Sequence, residues 1–298
     1  MIRLSIILVS FFAFKPLCAQ DDFGWWNVIH NWDGHTPWNQ YMTISTSFLG
    51  PNALPVPELP KGRIDSLAEL EVAGDYHFRK GDKTINFYTR GYLPLYNNRI
   101  AFSIDLVPYE WFKTDTITRD YRAARSKSGK GGSAGDIYFY TDIQMLRNQP
   151  RFPDILLQVA FRTSSGTNLG NARFTDGAGY FFNISAGKNY SIKKSTLRLF
   201  LMGGFYVYQT FDIQHLQNDC ILYGGGVDIT VSKLIFSQSL AGYSGYLGIG
   251  DKPLVYRASL KLKKDYFDWK VSYQWGLNDY SFQRIRLSLI WHIVPPFK

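Results

Sequence analysis

The chain has 298 residues, 17% of which are aromatic, and a formal net charge of +9. The basic residues are spread along the chain, which excludes the clustered positive surface of a typical nucleic-acid-binding protein. Two cysteines are too few for a disulfide framework, so stability must come from the pairing and burial of the chain itself.

The first nineteen residues have the features of an export signal. One basic residue, Arg3, precedes an apolar run over residues 4–14, which is too short to span a membrane. We predict a signal peptide over residues 1–19. Its removal takes Arg3 and Lys15 with it, so the net charge falls by two, from +9 to +7. It also leaves Cys220 as the only cysteine, which excludes an intrachain disulfide.

Residues 20–66 are rich in tryptophan and proline. Four tryptophans lie close together near the start of this segment: Trp25, Trp26, Trp32 and Trp38. Residues 41–48 alternate between apolar and polar side chains and are a candidate strand. Four prolines follow between residues 51 and 60. Because proline cannot donate a hydrogen bond to a sheet, we expect an extended stretch there, outside the central strands.

From residue 67 onwards, apolar and polar side chains alternate regularly. Residues 154–163, for example, place Ile155 and Val159 on one face and Gln158 and Arg162 on the other. Most such segments are about ten residues long, which is the length that a tilted strand needs to cross a bilayer. The pattern predicts twelve strands, over residues 67–78, 84–93, 99–107, 136–146, 154–163, 177–187, 195–208, 221–232, 234–243, 254–263, 267–277 and 283–293.

The connections between these strands alternate between a mostly longer class and a shorter class. Outer-membrane barrels have longer extracellular loops, short periplasmic turns and an even number of strands. If the C-terminus is periplasmic, the longest connection, 108–135, lies outside. It holds a basic stretch (Arg119, Arg122, Arg125, Lys127 and Lys130) that would bind lipopolysaccharide phosphates or gate a pore. A flexible solvated loop is the simpler interpretation.

These features predict an all-β protein: a transmembrane, antiparallel, up-and-down β-barrel of about twelve strands, with fourteen as the alternative. The barrel covers residues 67–298 and lies in the outer membrane of a Gram-negative bacterium after removal of the signal. A soluble β-sandwich also alternates, but its strands are expected to be shorter. The sequence leaves the oligomeric state open.

Several stretches resemble known barrel families. The signal ending CAQ and the closing strand RIRLSLIWHI resemble outer-membrane β-barrel proteins of the Bacteroidota. The block TSSGTNLGNARFTDGAGYFFNISAGK, residues 163–188, is similar to porin-like barrels of the phenol-degradation MetA-pathway type. The early tryptophans followed by FLGPN give a weaker similarity to nucleoside-specific channels, which have twelve strands and a similar size. These resemblances imply a porin-like channel.

The polar faces of the strands would enclose a lumen lined by charge. We expect these side chains either to pair as a structural network that fills the lumen or to line a permeation path with slight anion preference. The predicted lining consists of Arg90, Arg99, Asp105, Asp136, Asp142, Arg162, Arg198, Asp228, Arg257, Lys261, Lys270, Arg284 and Arg286.

The segment 20–66 has two predicted placements. It folds into the lumen or caps the periplasmic mouth, with Trp25, Trp26, Trp32 and Trp38 packing as a plug. A periplasmic tail that rests on the barrel rim is the plainer alternative.

The leading functional prediction is a porin-like channel for passive passage of small hydrophilic solutes. Its partners would be those solutes, outer-membrane lipids and lipopolysaccharide, with no nucleic acid. The alternative is a non-conducting structural or surface-interaction barrel whose lumen is blocked by charge pairs. An outer-membrane lipid-modifying enzyme ranks third, because neither a hydrolase elbow nor a suitable His–Ser pair is present. No catalytic residue, cofactor or metal is predicted, although His30, Asp33 and His35 are closely spaced.

Overall fold

The computed structural model describes residues 22–293, so the predicted signal peptide lies outside the described part of the chain. Two short helices, α1 (Gly24–Ile29) and α2 (Thr116–Tyr121), and two 3₁₀ turns (Trp38–Tyr41 and Leu169–Asn171) accompany a single sheet. Its strands are β1 (Ala68–Arg79), β2 (Asp82–Leu95), β3 (Ile100–Leu106), β4 (Glu110–Thr114), β5 (Lys130–Ser133), β6 (Ile137–Leu146), β7 (Asp154–Arg162), β8 (Gly179–Ile192), β9 (Ser195–Gln209), β10 (Gln217–Val231), β11 (Leu234–Ser244), β12 (Leu254–Leu262), β13 (Phe267–Asn278) and β14 (Gln283–Ile293).

Twelve of these strands close into an antiparallel barrel. Neighbours in sequence pair with each other, except that β3 pairs with β6, and β1 closes the barrel by pairing with both β2 and β14. In the closing pair, Tyr76 lies opposite Ile285 and Asp75 opposite Arg286. The predicted fold class and strand count are therefore confirmed.

The remaining strands, β4 and β5, form a hairpin beyond the wall of the barrel. β4 pairs with the first residues of β2, and within residues 22–293 β5 pairs only with β4. Our prediction of a single loop over 108–135 was wrong. Pro108 interrupts the alternation between β3 and β4. β5 contains two glycines, which have no side chain and so give no apolar–polar alternation from which a strand could be predicted. The candidate strand at 41–48 was also wrong: a 3₁₀ turn ends at Tyr41, and bends follow it.

Apolar side chains lie on the outer face of the barrel and charged side chains lie on its inner face, as a lipid environment requires. Phe161 is 58% exposed on the outer face, whereas the next residue, Arg162, is 1% exposed inside. The same contrast holds for Leu287 and Arg286, at 61% and 6%. A water-soluble barrel would bury the apolar set, so this inverted distribution matches a barrel with a lipid-facing surface. Among residues 22–293, no helix is long and apolar enough to cross a membrane.

The two ends of the barrel differ in their connections. One end, called here the short-turn end, carries the turns 96–99, 147–153, 193–194, 232–233 and 263–266. The other, the long-loop end, carries the turn 80–81, the β4–β5 hairpin and the loops 163–178, 210–216, 245–253 and 279–282. β1 begins at the short-turn end, because Ala68 lies opposite Ile293, near the end of the described chain.

Candidate functional site: the barrel lumen

Residues 49–66, called here the lumenal strap, run through the barrel from the long-loop end to the short-turn end. Arg162 on β7 donates a hydrogen bond to the carbonyl oxygen of Ala53 at 2.9 Å. Arg257 on β12 donates to Pro57 O at 3.0 Å. Nearer the short-turn end, Arg198 on β9 donates to Lys61 O at 2.7 Å. The wall therefore holds the strap along its length.

The composition of the strap explains this choice of partners. Its four prolines favour an extended backbone that pairs with no strand and offers carbonyl acceptors without the matching N–H donors. Arginine carries five donors and no acceptor, so it complements such a backbone. Two tyrosines act in the same way: Tyr280 donates to Pro51 O at 3.0 Å and Tyr243 to Leu54 O at 3.3 Å.

One side of the lumen is apolar. Inward side chains from β8 to β11, including Phe181, Phe200, Leu222 and Tyr243, form one buried cluster with apolar strap residues. The strap contributes Leu49, Ala53, Leu54, Val56 and Leu59. A Cβ atom at Gly224 would lie 2.6 Å from Leu59 Cδ2, so the absence of a side chain there lets the strap approach the wall closely.

The other side of the lumen is charged and includes most of the predicted lining. Six of those residues are buried: Asp136, Asp142, Arg162, Asp228, Arg257 and Arg286. Six more are half-buried: Arg90, Asp105, Arg198, Lys261, Lys270 and Arg284. Arg99 is the exception. It lies exposed in the turn before β3 at the short-turn end, so its assignment to the lumen lining is corrected.

Most of these charges have a partner of opposite sign. Arg286 makes two hydrogen bonds to Asp75, at 2.6 and 2.7 Å. Four further pairs follow: Arg162–Asp136 at 3.3 Å, Arg198–Asp154 at 3.0 Å, Lys261–Asp268 at 3.1 Å and Lys61–Asp228 at 2.6 Å. The pairing offsets the cost of moving the charges out of bulk water.

A second charged network lies at the long-loop end, and the sequence analysis missed it. Arg173 donates to Glu110 at 2.7 Å and to Asp82 at 2.9 Å, and Arg122 donates to the same oxygen of Asp82 at 2.6 Å. All four side chains are fully buried. Asn52 of the strap joins them through a 2.8 Å bond to Glu110. Loops, hairpin and strap are thereby connected at one point.

The pKa values of the two arginines in this network shift in opposite directions. Burial lowers the pKa of Arg122 to about 10, and Asp82 only partly opposes this. Burial also acts to lower the pKa of Arg173, but Glu110 and Asp82 outweigh it and the net shift is upward. Both guanidinium groups are therefore charged at neutral pH.

The four tryptophans lie at the long-loop end, next to the basic stretch of the 115–129 loop. Trp26 is fully buried and donates to Ala123 O at 3.1 Å. Arg119 lies 4.1 Å from the centre of the Trp25 ring, and Arg125 lies 5.5 Å from that of Trp38. Trp32 packs against the same core and donates to Thr36 O at 2.7 Å. The interpretation of this basic stretch as a flexible solvated loop is therefore corrected for its arginines, since cation–π contacts hold Arg119 and Arg125 and Arg122 is buried. Lys127 and Lys130 are exposed.

A cavity separates the strap from the charged wall. It is lined by strap residues 51–52 and 55–58 together with side chains of the wall. Glu58 lies in it with 55% of its side chain exposed, although the residue is inside the barrel. Among residues 22–293, the buried Tyr138 hydroxyl and both ring nitrogens of His77 have no hydrogen-bond partner. Polar atoms in such positions require water, so the cavity is hydrated.

The described part of the chain offers no metal centre. Within residues 22–293, no three His, Cys, Asp or Glu side chains converge closely enough to hold a metal ion. Cys220 is fully buried on the apolar side of the lumen. The site is thus a charged, hydrated space beside a fixed polypeptide segment.

A closed antiparallel barrel with an apolar outside and a charged inside is the fold of outer-membrane β-barrel channels. An outer-membrane channel from Pseudomonas putida F1 shares this fold with a TM-score of 0.53 and 11% sequence identity, covering 80% of this chain and 100% of that one. The KdgM porin, also solved in complex with disordered oligogalacturonate, gives TM-scores of 0.48 and 0.46 at 11% identity, covering 75% of this chain and 99% of that one. No family model matches the chain, and no curated protein does.

The likeness to the Pseudomonas putida F1 channel confirms the prediction of a porin-like barrel fold. The Bacteroidota type, the MetA-pathway type and the similarity to nucleoside channels stay predictions, because at 11% identity a structural likeness carries the fold alone.

Proposed function

We propose that this protein is an outer-membrane channel that lets small hydrophilic solutes pass passively, with slight anion preference. The short-turn end faces the periplasm and the long-loop end faces the outside, as the usual lengths of barrel connections require. The observation that supports a channel best is the hydrated cavity beside the strap, in which Glu58 is 55% exposed. A lumen filled by paired charges alone would leave no such space.

Anion preference is supported by the charges around that cavity. Arg257, Arg284, Lys270 and Arg286 all act electrostatically on the strap carboxylate that lines the cavity, Glu58. Fixed charges that face a narrow water path select ions at short range, because the low-dielectric wall screens them poorly.

The competing proposal is a barrel that does not conduct. It is favoured by the anchoring of the strap, whose carbonyl groups accept bonds from Arg162, Arg257 and Arg198. In this case the strap would fill the lumen permanently, and the surface of the long-loop end would be the functional part.

Single-channel recording in planar bilayers separates the two proposals. We expect the mature chain to give small conductance steps and a variant that lacks residues 22–60 to give clearly larger ones. In a KCl gradient, the reversal potential of the mature chain should indicate a modest preference for chloride. A silent mature chain beside a conducting truncated variant would establish the filled barrel instead.

A further inference from the structure

Glu58 is an acidic side chain that the strap carries into the lumen. Its Oε1 atom lies 3.4 Å from Nη2 of Arg284 and 3.7 Å from Nε of Arg257. Charge-assisted hydrogen bonds between guanidinium and carboxylate groups are usually about 2.7–2.9 Å long. Glu58 therefore faces these arginines without being tightly bound to them, and more than half of its side chain is accessible.

Arg284 has donor capacity that the protein leaves unused. Among the described residues, Glu58 is the one carboxylate within salt-bridge distance of it. Its Nε atom is buried and has no hydrogen-bond partner within residues 22–293. Arg286, on the same strand, differs in this respect, because Asp75 satisfies it with two short bonds.

The space next to these arginines suits an organic anion. The cavity beside the strap has Arg257 and Arg284 in its lining. Phe174, Phe181, Tyr138 and Tyr140 line it together with the arginines. Aromatic rings beside a cationic group are complementary to a ligand that has an apolar body and one negatively charged end.

We propose that Arg284 and Arg257 form a binding site for small organic carboxylates, and that Glu58 occupies this site when no ligand is bound. The planar fork of a guanidinium group matches a carboxylate, so an incoming ligand replaces Glu58 contact for contact. Glu58 is tethered beside the site and competes at a high effective concentration, which keeps the affinity for the ligand low. This inference rests on the proposed channel function, since it names the class of solute that the lumen accepts.

The test uses the mature chain in detergent and compares benzoate with benzamide by titration calorimetry. The two probes have nearly the same shape, but only benzoate is charged. We expect benzoate to bind at least about tenfold more tightly, because a charged acceptor makes stronger bonds with guanidinium groups. Equal binding of the two probes, or none of benzoate, would overturn the proposal.

Single substitutions test whether Glu58 and Arg284 belong to the proposed carboxylate site. Glu58→Gln removes the tethered competitor and should tighten benzoate binding about threefold or more. Arg284→Gln should weaken it about tenfold, because one guanidinium partner is lost. Arg284 is preferred over Arg257, which also holds the strap through Pro57 O. Arg99→Gln removes a positive charge from the exposed turn and should leave binding unchanged. Unchanged affinity in both Glu58→Gln and Arg284→Gln would refute the assignment of the site.

Binding and conduction are measured separately, so the two proposals fail separately. Benzoate binding by a barrel that carries no current would retain the carboxylate site and reject the channel. A conducting barrel that does not distinguish benzoate from benzamide would do the opposite.

Discussion

Arg162 donates a 2.9 Å hydrogen bond to the carbonyl oxygen of Ala53, a residue 109 positions earlier in the chain. The same guanidinium group contacts Asp136 at 3.3 Å and Thr175 at 3.1 Å. A single buried side chain thus joins the wall, the strap and a loop of the long-loop end. The lumen is organised by such contacts, in which arginines of the wall supply the donors that the proline-rich strap lacks.

Replacing Arg162 by glutamine should strongly destabilise the barrel. The change leaves Asp136 buried without its cation, and losing one partner of a buried ion pair costs about 3–5 kcal/mol. Unfolding by denaturant in detergent measures this loss. Arg99→Gln, in the exposed turn, is the matched control and should stay within about 0.5 kcal/mol of the parent chain. Similar losses in both variants would contradict the anchoring role of Arg162.

A side chain at Gly50 should destabilise the barrel. A Cβ atom there would lie 2.8 Å from Cζ of Arg173, whose guanidinium group is fixed by Asp82 and Glu110. We expect Gly50→Ala to cost about 1–3 kcal/mol, as overpacked sites do. Gly74→Ala is the control, because nothing lies within 4 Å of a Cβ atom at that position. An equal melting temperature for the two variants would show that the strap shifts freely near Arg173.

Cys220 should report whether the strap covers the wall. Its side chain is fully buried in the cluster that includes Leu54 and Val56 of the strap. We expect a small water-soluble maleimide to leave it unmodified in the mature chain and to modify it in the variant that lacks residues 22–60. Mass spectrometry gives the extent of labelling. Rapid labelling of the intact mature chain would mean that the strap does not cover this side of the lumen.

Trp26 should hold the 115–129 loop in place. Replacing it by alanine removes a fully buried ring and its 3.1 Å bond to Ala123 O. Loss of a buried tryptophan costs about 3–5 kcal/mol, and the loop should then open to trypsin at Arg125 and Lys127. Val28→Ala changes a side chain that is 77% exposed and should leave cleavage slow. If both variants were cleaved at the parental rate, Trp26 would have no such role.

The strands were predictable because the information for them is local. Inward and outward side chains alternate along each strand, as in the outward Phe161 and the inward Arg162. The alternation of residue types in the sequence therefore predicts which face is buried. The predicted β14, residues 283–293, agrees with the structure at both ends. Errors arose where a strand lacks side chains, as in β5 with its two glycines.

The site was less predictable because it depends on distant partners. Arg173 and Arg122 lie in loops rich in small and polar residues, where charges are usually solvated. They are buried because Glu110 lies 63 positions from Arg173, and Asp82 lies 40 positions from Arg122. The route of the strap through the lumen also depends on distant partners. A proline-rich segment has no apolar–polar periodicity from which its buried face could be predicted.

The route of residues 22–66 through the barrel is tested most directly by labelling intact cells with a membrane-impermeant maleimide. Val28→Cys, made in a chain in which Cys220 is replaced by serine, places a reactive thiol at a position that is 77% exposed at the long-loop end. Ile213→Cys is the positive control on a loop of the same end, and Tyr96→Cys the negative control in a turn of the short-turn end; these positions are 71% and 74% exposed. We predict that Val28→Cys is labelled on intact cells to the same extent as Ile213→Cys. Labelling only after the outer membrane is permeabilised, as for Tyr96→Cys, would contradict a strap that crosses the lumen.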